Sequence, residues 1–248
     1  DVDALMRGDL TEEQTRERAR RIDPVGHGRY RLYAVNPKER VVSLDDRLYA
    51  LLETDADAAR RCTFIEWRRM MLALCREEDG LTAEEARARF GDMLTRAGID
   101  AQAVVIGQSD LREARAQLGT SMCEAVYAAR AAKLCGKAAL GARELGLYAY
   151  LFPMSENPFV CDRCRRVLSA IREYDAQNHT NLEQTALVYV KENMEIAAAA
   201  KALFQHPNTV RYRLSKIQRI MGMEDDPLFA PMLSLTVSLS RILTEEQA

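Results

Sequence analysis

The chain has 248 residues, 48% hydrophobic and 29% charged, with only 12 glycines and 7 prolines, the composition of an ordinary soluble globular protein with room for two cores. No apolar run approaches the roughly 18 residues that span a bilayer, and no basic stretch followed by an apolar segment marks a signal peptide, so no membrane is expected and a cytoplasmic location follows. A formal net charge of −2 excludes a cationic surface overall, and any attraction to a polyanion has to come from a local patch.

The opening DVDALMRGDL lacks an initiator methionine and already has helical spacing, which reads as a fragment of a longer protein with its signal-sensing part upstream. LTEEQTRERARRI, Leu10 to Ile22, predicts a polar helix started by a threonine cap followed by glutamates and stopped before Asp23-Pro24. GRYRLYAVN, Gly28 to Asn36, alternates as a strand does, and SLDDRLYALLE has helical spacing. CTFIEW (Cys62 to Trp67) and MMLALC (Met70 to Cys75) are short apolar runs separated by Arg68-Arg69, which predicts a hairpin.

Further along, Thr82 caps a helix that Gly98 can terminate, Ala101 to Gln108 is a buried strand, and DLREARAQLGTSMCEAVYAARAAKL is one or two helices. Strands alternating with helices predict helices covering a sheet, an α+β fold, over residues 1–155. From about Asn157 onward every segment has helical period and the connections are short, so 156–248 reads as an all-helical domain closed by PLFAPMLSLTVSLSRIL. No repeat of solenoid period and no low-complexity linker interrupts the chain.

Six cysteines are too dispersed for a secreted disulfide framework, and most read as small buried hydrophobes. The pair Cys161 and Cys164 has CxxC spacing but no second CxxC and no histidine pair, and in a helix that spacing puts both thiols on one face. His27 and His179 have no ligand partners at recognisable spacing, and no Ser/His/Asp or Cys/His constellation can be assembled. Catalytic residues, metal and cofactor are therefore all expected to be none.

The charge asymmetry lies near the C-terminus. Lys201, Arg211, Arg213, Lys216 and Arg219 fall between residues 196 and 221 with no Asp or Glu among them. EIAAAAKAL is a short Ala-rich helix, FQH a turn, and PNTVRYRLSKIQRI a second helix with Pro207 in its first turn. Helices joined so tightly must cross steeply, and Ala200 permits the close crossing. On a helical wheel Val210, Leu214, Ile217 and Met221 form an inward stripe. Asn208, Tyr212, Ser215, Lys216 and Arg219 lie opposite, with Arg211 and Arg213 on the flanks. Such a face suits a major groove: Asn and Arg can pair with base edges, while Lys, Thr and Tyr hold phosphates. His206 and Asn208 stand at the helix N-terminus, where free amides favour a phosphate oxygen. Arg213, at the helix edge, can contact phosphate or pair with a carboxylate inside its own domain.

LEQTALVYVKENMEIAAAAKALFQHPNTVRYRLSKIQRIMG resembles the C-terminal helix-turn-helix of the PucR/CdaR family of bacterial transcriptional regulators. The resemblance is carried by His206, Asn208, Thr209, Tyr212, Arg213 and Leu214, after Ala200 and Leu203 of the preceding helix. Gln205 departs from it, standing where the family has an aliphatic residue. Upstream, SMCEAVYAARAA is similar to the Ser-x-x-Glu-Ala-x-x-Ala helix of the GGDEF-like domain that precedes this module in the family. The resemblance implies a degenerate GGDEF-like α/β sandwich followed by an all-α helix-turn-helix domain. Neither GGDEF nor GGEEF occurs, and the hairpin that would carry it turns through EWRR, two cations where Mg²⁺ would need acidic ligands, so cyclase chemistry is not expected.

The expected function is a sequence-specific DNA-binding transcriptional regulator of a metabolic operon with its recognition helix at about 207–220. His206, Asn208, Thr209, Arg211, Tyr212, Arg213, Ser215, Lys216 and Arg219 are its DNA-binding residues. Double-stranded DNA and a second copy of the chain, as a homodimer, are the expected partners, with a small-molecule effector acting through an upstream region. The alternative is a nucleotide- or metabolite-binding protein that uses the degenerate domain, the helical domain serving as a protein-interaction module.

Overall fold

The structure, a computed structural model, describes residues 1–24, 28–39, 44–77, 80–113 and 115–245. His27, Ser43 and Ala114, which fall in stretches read above, lie outside them. The chain divides into two compact units, Asp1–Ala149 and Tyr150–Ala248.

The first unit is mixed. Helices α1 (Val2–Arg7) and α2 (Glu12–Ile22) precede strand β1 (Tyr30–Pro37); α3 (Leu44–Thr54) and α4 (Ala56–Arg61) lead into β2 (Cys62–Trp67) and β3 (Met70–Arg76). Then come α5 (Ala83–Arg96), β4 (Val104–Gln108), α6 (Leu118–Leu134) and β5 (Ala139–Gly141). The strands form one sheet in the order β2-β3-β1-β4-β5, antiparallel except for the parallel pair β4-β5. The expected hairpin is present, paired from Cys62 opposite Cys75 to Trp67 opposite Met70, with Arg68 in the left-handed region at φ 54°. Thr11 caps α2 in a capping box completed by Gln14 rather than a glutamate, and Thr82 caps α5 with Glu85.

Strand β1 departs from its alternating sequence. It is buried almost throughout because it is the central strand with helices on both faces. Tyr33 and Val35 join the cluster formed with α3, α4 and α5, where the Tyr33 ring stacks on Phe90 at 4.0 Å. Leu32 and Ala34 are fully buried as well, and α6 packs against β1, β4 and β5. Arg31 of this strand is satisfied by an ion pair with Glu77 at 2.9 Å, and Glu77 also accepts the Tyr33 hydroxyl at 2.9 Å. The alanines of α6 have a geometric reason: a Cβ built at Gly107 of β4 would stand 1.9 Å from the Ala125 carbonyl oxygen, so helix and strand backbones nearly touch. Only glycine and small residues allow that approach.

The hairpin turn is tied down by α1. Trp67 Nε1 donates to Asp3 at 3.2 Å, Arg68 pairs with the same carboxylate at 3.1 Å, and the Arg68 guanidinium lies 4.3 Å above the Trp67 ring centroid. Among the described residues no group of three or more His, Cys, Asp or Glu side chains could hold a metal ion, and no helix is long and apolar enough to cross a membrane.

In the second unit, α7 (Tyr148–Ser155, entered from the first) is followed by α8 (Pro158–Asn178), α9 (Leu182–Lys191), α10 (Ile196–Ala202), α11 (Pro207–Met221) and α12 (Phe229–Glu245). Asn157 caps α8 by accepting from the Phe159 and Val160 amides, with Pro158 at the first helical position. Ile171 of α8, Leu182, Ala186 and Tyr189 of α9, Ala199 and Ala200 of α10, Val210, Leu214 and Ile217 of α11, and Phe229, Leu233 and Val237 of α12 make its core. Cys161 and Cys164 are buried structural thiols, donating to the Ser155 and Thr236 carbonyls, and burial pushes the Cys164 thiol up to about 11. A pairing not read from the sequence is Cys62 against Cys75, whose sulfurs meet across the hairpin at 2.7 Å.

Candidate nucleic-acid interface

Helix α10 ends because its last carbonyls are taken by a turn rather than by further helix. The Phe204 amide donates to the Lys201 carbonyl at 3.2 Å and the Gln205 amide to the Ala200 carbonyl at 2.9 Å, with Phe204 left-handed at φ 54°. This pair of bonds is a Schellman closure. An apolar contact from the residue after the left-handed one often accompanies it, and here that residue, Gln205, is exposed. The departure from the family pattern therefore costs the turn an apolar contact and leaves its backbone closure in place.

His206 then caps α11, its Nδ1 accepting from the Asn208 amide at 3.2 Å, and Pro207 opens the helix. Val210, Leu214 and Ile217 are buried as the wheel predicts, and Gly222 ends the helix with φ 65°. Ala200 is buried beside Ala199 in the core cluster that also holds Val210, Leu214 and Ile217 of α11.

The outward face of α11 is organised into pairs. Arg211 Nη1 donates to Asn208 Oδ1 at 2.9 Å, so the two groups suited to base edges are held together. Lys216 Nζ lies 5.3 Å from the centroid of the Tyr212 ring, and Tyr212 is 57% exposed. Ser215 is exposed with its hydroxyl turned back onto the Tyr212 carbonyl at 2.9 Å, and Thr209 is half-buried. Arg219 is exposed at the far end, 3.6 Å from Glu224. It stands about 16 Å along the axis from Asn208, at 1.5 Å per residue, so the charge of that end is partly balanced by an acid just beyond the acid-free stretch.

Arg213 is placed differently from the other expected site residues. It is half-buried, donates from Nη1 to the hydroxyl of the fully buried Thr185 at 3.2 Å, and lends its charge to Asp175. Asp175 belongs to α8, yet it caps α9: its carboxylate accepts from the Leu182 amide at 2.7 Å, the Glu183 amide at 3.0 Å and the Thr180 hydroxyl at 2.6 Å. Asn181, which has the N-cap position, makes no side-chain capping bond. Arg213 is thus drawn inward by the buried Thr185 hydroxyl and by the charge of a half-buried carboxylate on a neighbouring helix. Its hydrogen bond goes to an internal hydroxyl, with the Asp175 charge nearby in the same unit. Asp175 and Thr185 were not singled out from sequence, because a cap supplied from seven residues upstream leaves no local signal.

Burial alone would raise the Asp175 carboxyl, but the amides of Glu183 and Leu182, the Thr180 hydroxyl and the Arg213 charge outweigh it and hold the group below its ordinary 3.8. A lowered carboxylate contributes stability that is complete above 3.8 and is lost as pH falls through the native value. Asp175→Ala is therefore expected to destabilise the helical unit by about 1–2 kcal/mol at neutral pH, the scale of a lost cap. In urea titrations the gap from the parent chain should close as pH drops below 3.8; a gap independent of pH would refute the capping role.

Residues 182–235 match the family model of the PucR C-terminal helix-turn-helix domain. Among curated proteins the chain is similar to the DNA-binding transcriptional activator AdeR of Bacillus subtilis (strain 168), 31% identical over 81 residues, 33% of this chain and 19% of that protein. It is also similar to the Proline-responsive transcriptional activator PutR of the same organism, 28% identical over 111 residues, 44% of this chain and 27% of that protein. The chain thus aligns with about a fifth and about a quarter of the lengths of these relatives. Among solved structures, a regulator of polyketide synthase expression from Bifidobacterium adolescentis aligns with a TM-score of 0.39 and 18% identity over 98% of both chains. Within residues 182–235, then, the helical unit carries a helix-turn-helix domain of the PucR C-terminal type.

Proposed function

We propose that this chain is a sequence-specific DNA-binding transcriptional regulator that reads a major groove with α11 and controls a metabolic operon. The observation that carries the reading is the outward face of α11, where Asn208, Arg211, Tyr212 and Lys216 are presented without an acid while Val210, Leu214 and Ile217 lock the opposite face into the core. Asn208 and Arg211 contact base edges; Thr209, Tyr212, Ser215 and Lys216 contact phosphate and sugar. His206 takes a phosphate through its ring N–H, because Pro207 has no amide hydrogen and the amides of Asn208 and Thr209 are already bonded to His206, and Arg219 reaches the backbone at the groove's far side. Arg213 positions the helix rather than touching DNA. The match to the PucR domain and the names of both activators support this reading.

The first unit is proposed as a degenerate GGDEF-like domain with no catalytic role. In support, the β2-β3 turn holds Arg68 and Arg69, with Arg68 engaged to Asp3. A homodimer placing two recognition helices on paired half-sites supplies the affinity that one short helix lacks.

Selection of bound duplexes from a random pool by the full chain should enrich one motif, with affinity falling steeply as salt rises. A pool that stays random, or binding indifferent to salt, would overturn the proposal in favour of a metabolite-binding protein whose helical unit contacts other proteins.

A further inference from the structure

The turn ahead of α11 holds a residue whose chemistry the contacts described so far leave unused. Phe204 is 94% exposed, and no large hydrophobic residue among the described ones is more so. Its backbone is left-handed, φ 54°, at a helix C-terminus, where glycine or asparagine is the economical choice. Neither burial nor local backbone preference accounts for a phenyl ring here. The two turn hydrogen bonds from the Phe204 and Gln205 amides fix the backbone beneath it, so the ring is presented on a set base.

Its surroundings indicate what covers it. Phe204 lies two residues before the His206 cap, within about 7 Å of chain from the helix start. Lys201 and Asn208, on either side in sequence, are exposed, and no acid occurs from 196 to 221. A recognition helix meets base edges with its N-terminal residues, so this end of α11 is the one that approaches bases. The major groove displays one apolar group, the 5-methyl of thymine.

We infer that Phe204 is a specificity-determining residue that packs on a thymine methyl in the major groove, next to the bases met by Asn208 and Arg211. The inference rests on the DNA-binding reading above and adds a base identity to it.

The test uses the full chain and a duplex recovered from the random pool, with each thymine replaced in turn by deoxyuridine, which removes only the methyl. At one position of the bound site the parent chain should bind about fourfold more weakly, the value of one buried methyl-sized group. Phe204→Asn and Phe204→Gly keep the left-handed turn, so their melting temperatures should equal or exceed the parent's. Both should bind the thymine duplex at least as weakly as the parent binds the deoxyuridine one, and should no longer distinguish the two bases at that position.

Unchanged affinity in Phe204→Asn, or retained thymine discrimination, would overturn the inference. So would a variant that alters the oligomeric mass in light scattering while its thymine discrimination is intact, since the ring would then serve a contact between chains. Failure of the underlying reading looks different: the parent chain itself would show no salt-dependent binding to any duplex.

Discussion

Arg211→Ala combined with Lys216→Ala is expected to weaken binding to a selected duplex by about 30-fold at 0.15 M salt, and to reduce the slope of log affinity against log salt by about 1 per bound chain. Lys216 neutralises a phosphate and so releases close to one counterion, which sets the change in slope, while the lost Arg211 contact to a base edge adds to the fall in affinity. Both side chains are on the surface of α11, Arg211 exposed and Lys216 half-buried against Tyr212, so the melting temperature should hardly move. Asn208→Ala should behave in the opposite way, leaving the salt slope intact while changing which bases are preferred, because an amide reads base edges and carries no charge. Fluorescence anisotropy over a salt series, with the duplex pool sequenced for each variant, separates the two classes. A double variant with the parent's slope would remove Lys216 from the phosphate contacts, and one with the parent's affinity would remove both side chains from the interface.

Ile217→Ala is expected to cost about 2–5 kcal/mol of stability, the range for truncating a fully buried aliphatic side chain. Ile217 is completely buried on the inner face of α11, in the cluster that joins α8, α9, α10, α11 and α12. A small domain is held by only about 5–15 kcal/mol, so the loss is a large share of the total. Urea unfolding followed by hydrogen exchange at α11 amides should show the helical unit opening first, with DNA binding lost through unfolding and recovered as temperature is lowered. Ile217→Val, which removes one methylene, should cost about 0.5–1.5 kcal/mol and leave affinity unchanged. If Ile217→Ala were as stable as the parent chain, the inward stripe would not be the anchor of the recognition helix.

These two predictions divide the residues of one helix by which way they face, and that division is legible in the sequence. The spacing of Val210, Leu214 and Ile217 against Asn208, Tyr212 and Arg219 is a period of about 3.6, and a helix of that period has to separate them. The β2-β3 hairpin, the Thr82 cap and the strand at Val104 were readable for the same reason: each depends on residues a few positions apart. The sequence of strand β1 alternates, and its burial on both faces is hidden there because Arg31 and Asn36 look like solvent positions until Glu77 and the covering helices are brought to the strand. Helix α4 and the three-residue strand β5 are too short to leave a periodic signal.

What the sequence by itself determined is therefore local and periodic: the helix-turn-helix, its acid-free outer face and its buried stripe. What only the tertiary structure decided are the contacts made across large separations. Asp175, and not the adjacent Asn181, caps α9; Thr185 and the charge of Asp175 draw Arg213 inward; Cys62 meets Cys75; and Gly107 admits the backbone of α6. The physical reason is common to all of them. A polar or charged side chain at a helix edge has several partners of similar energy within reach, and which one it takes depends on what the rest of the fold buries beside it.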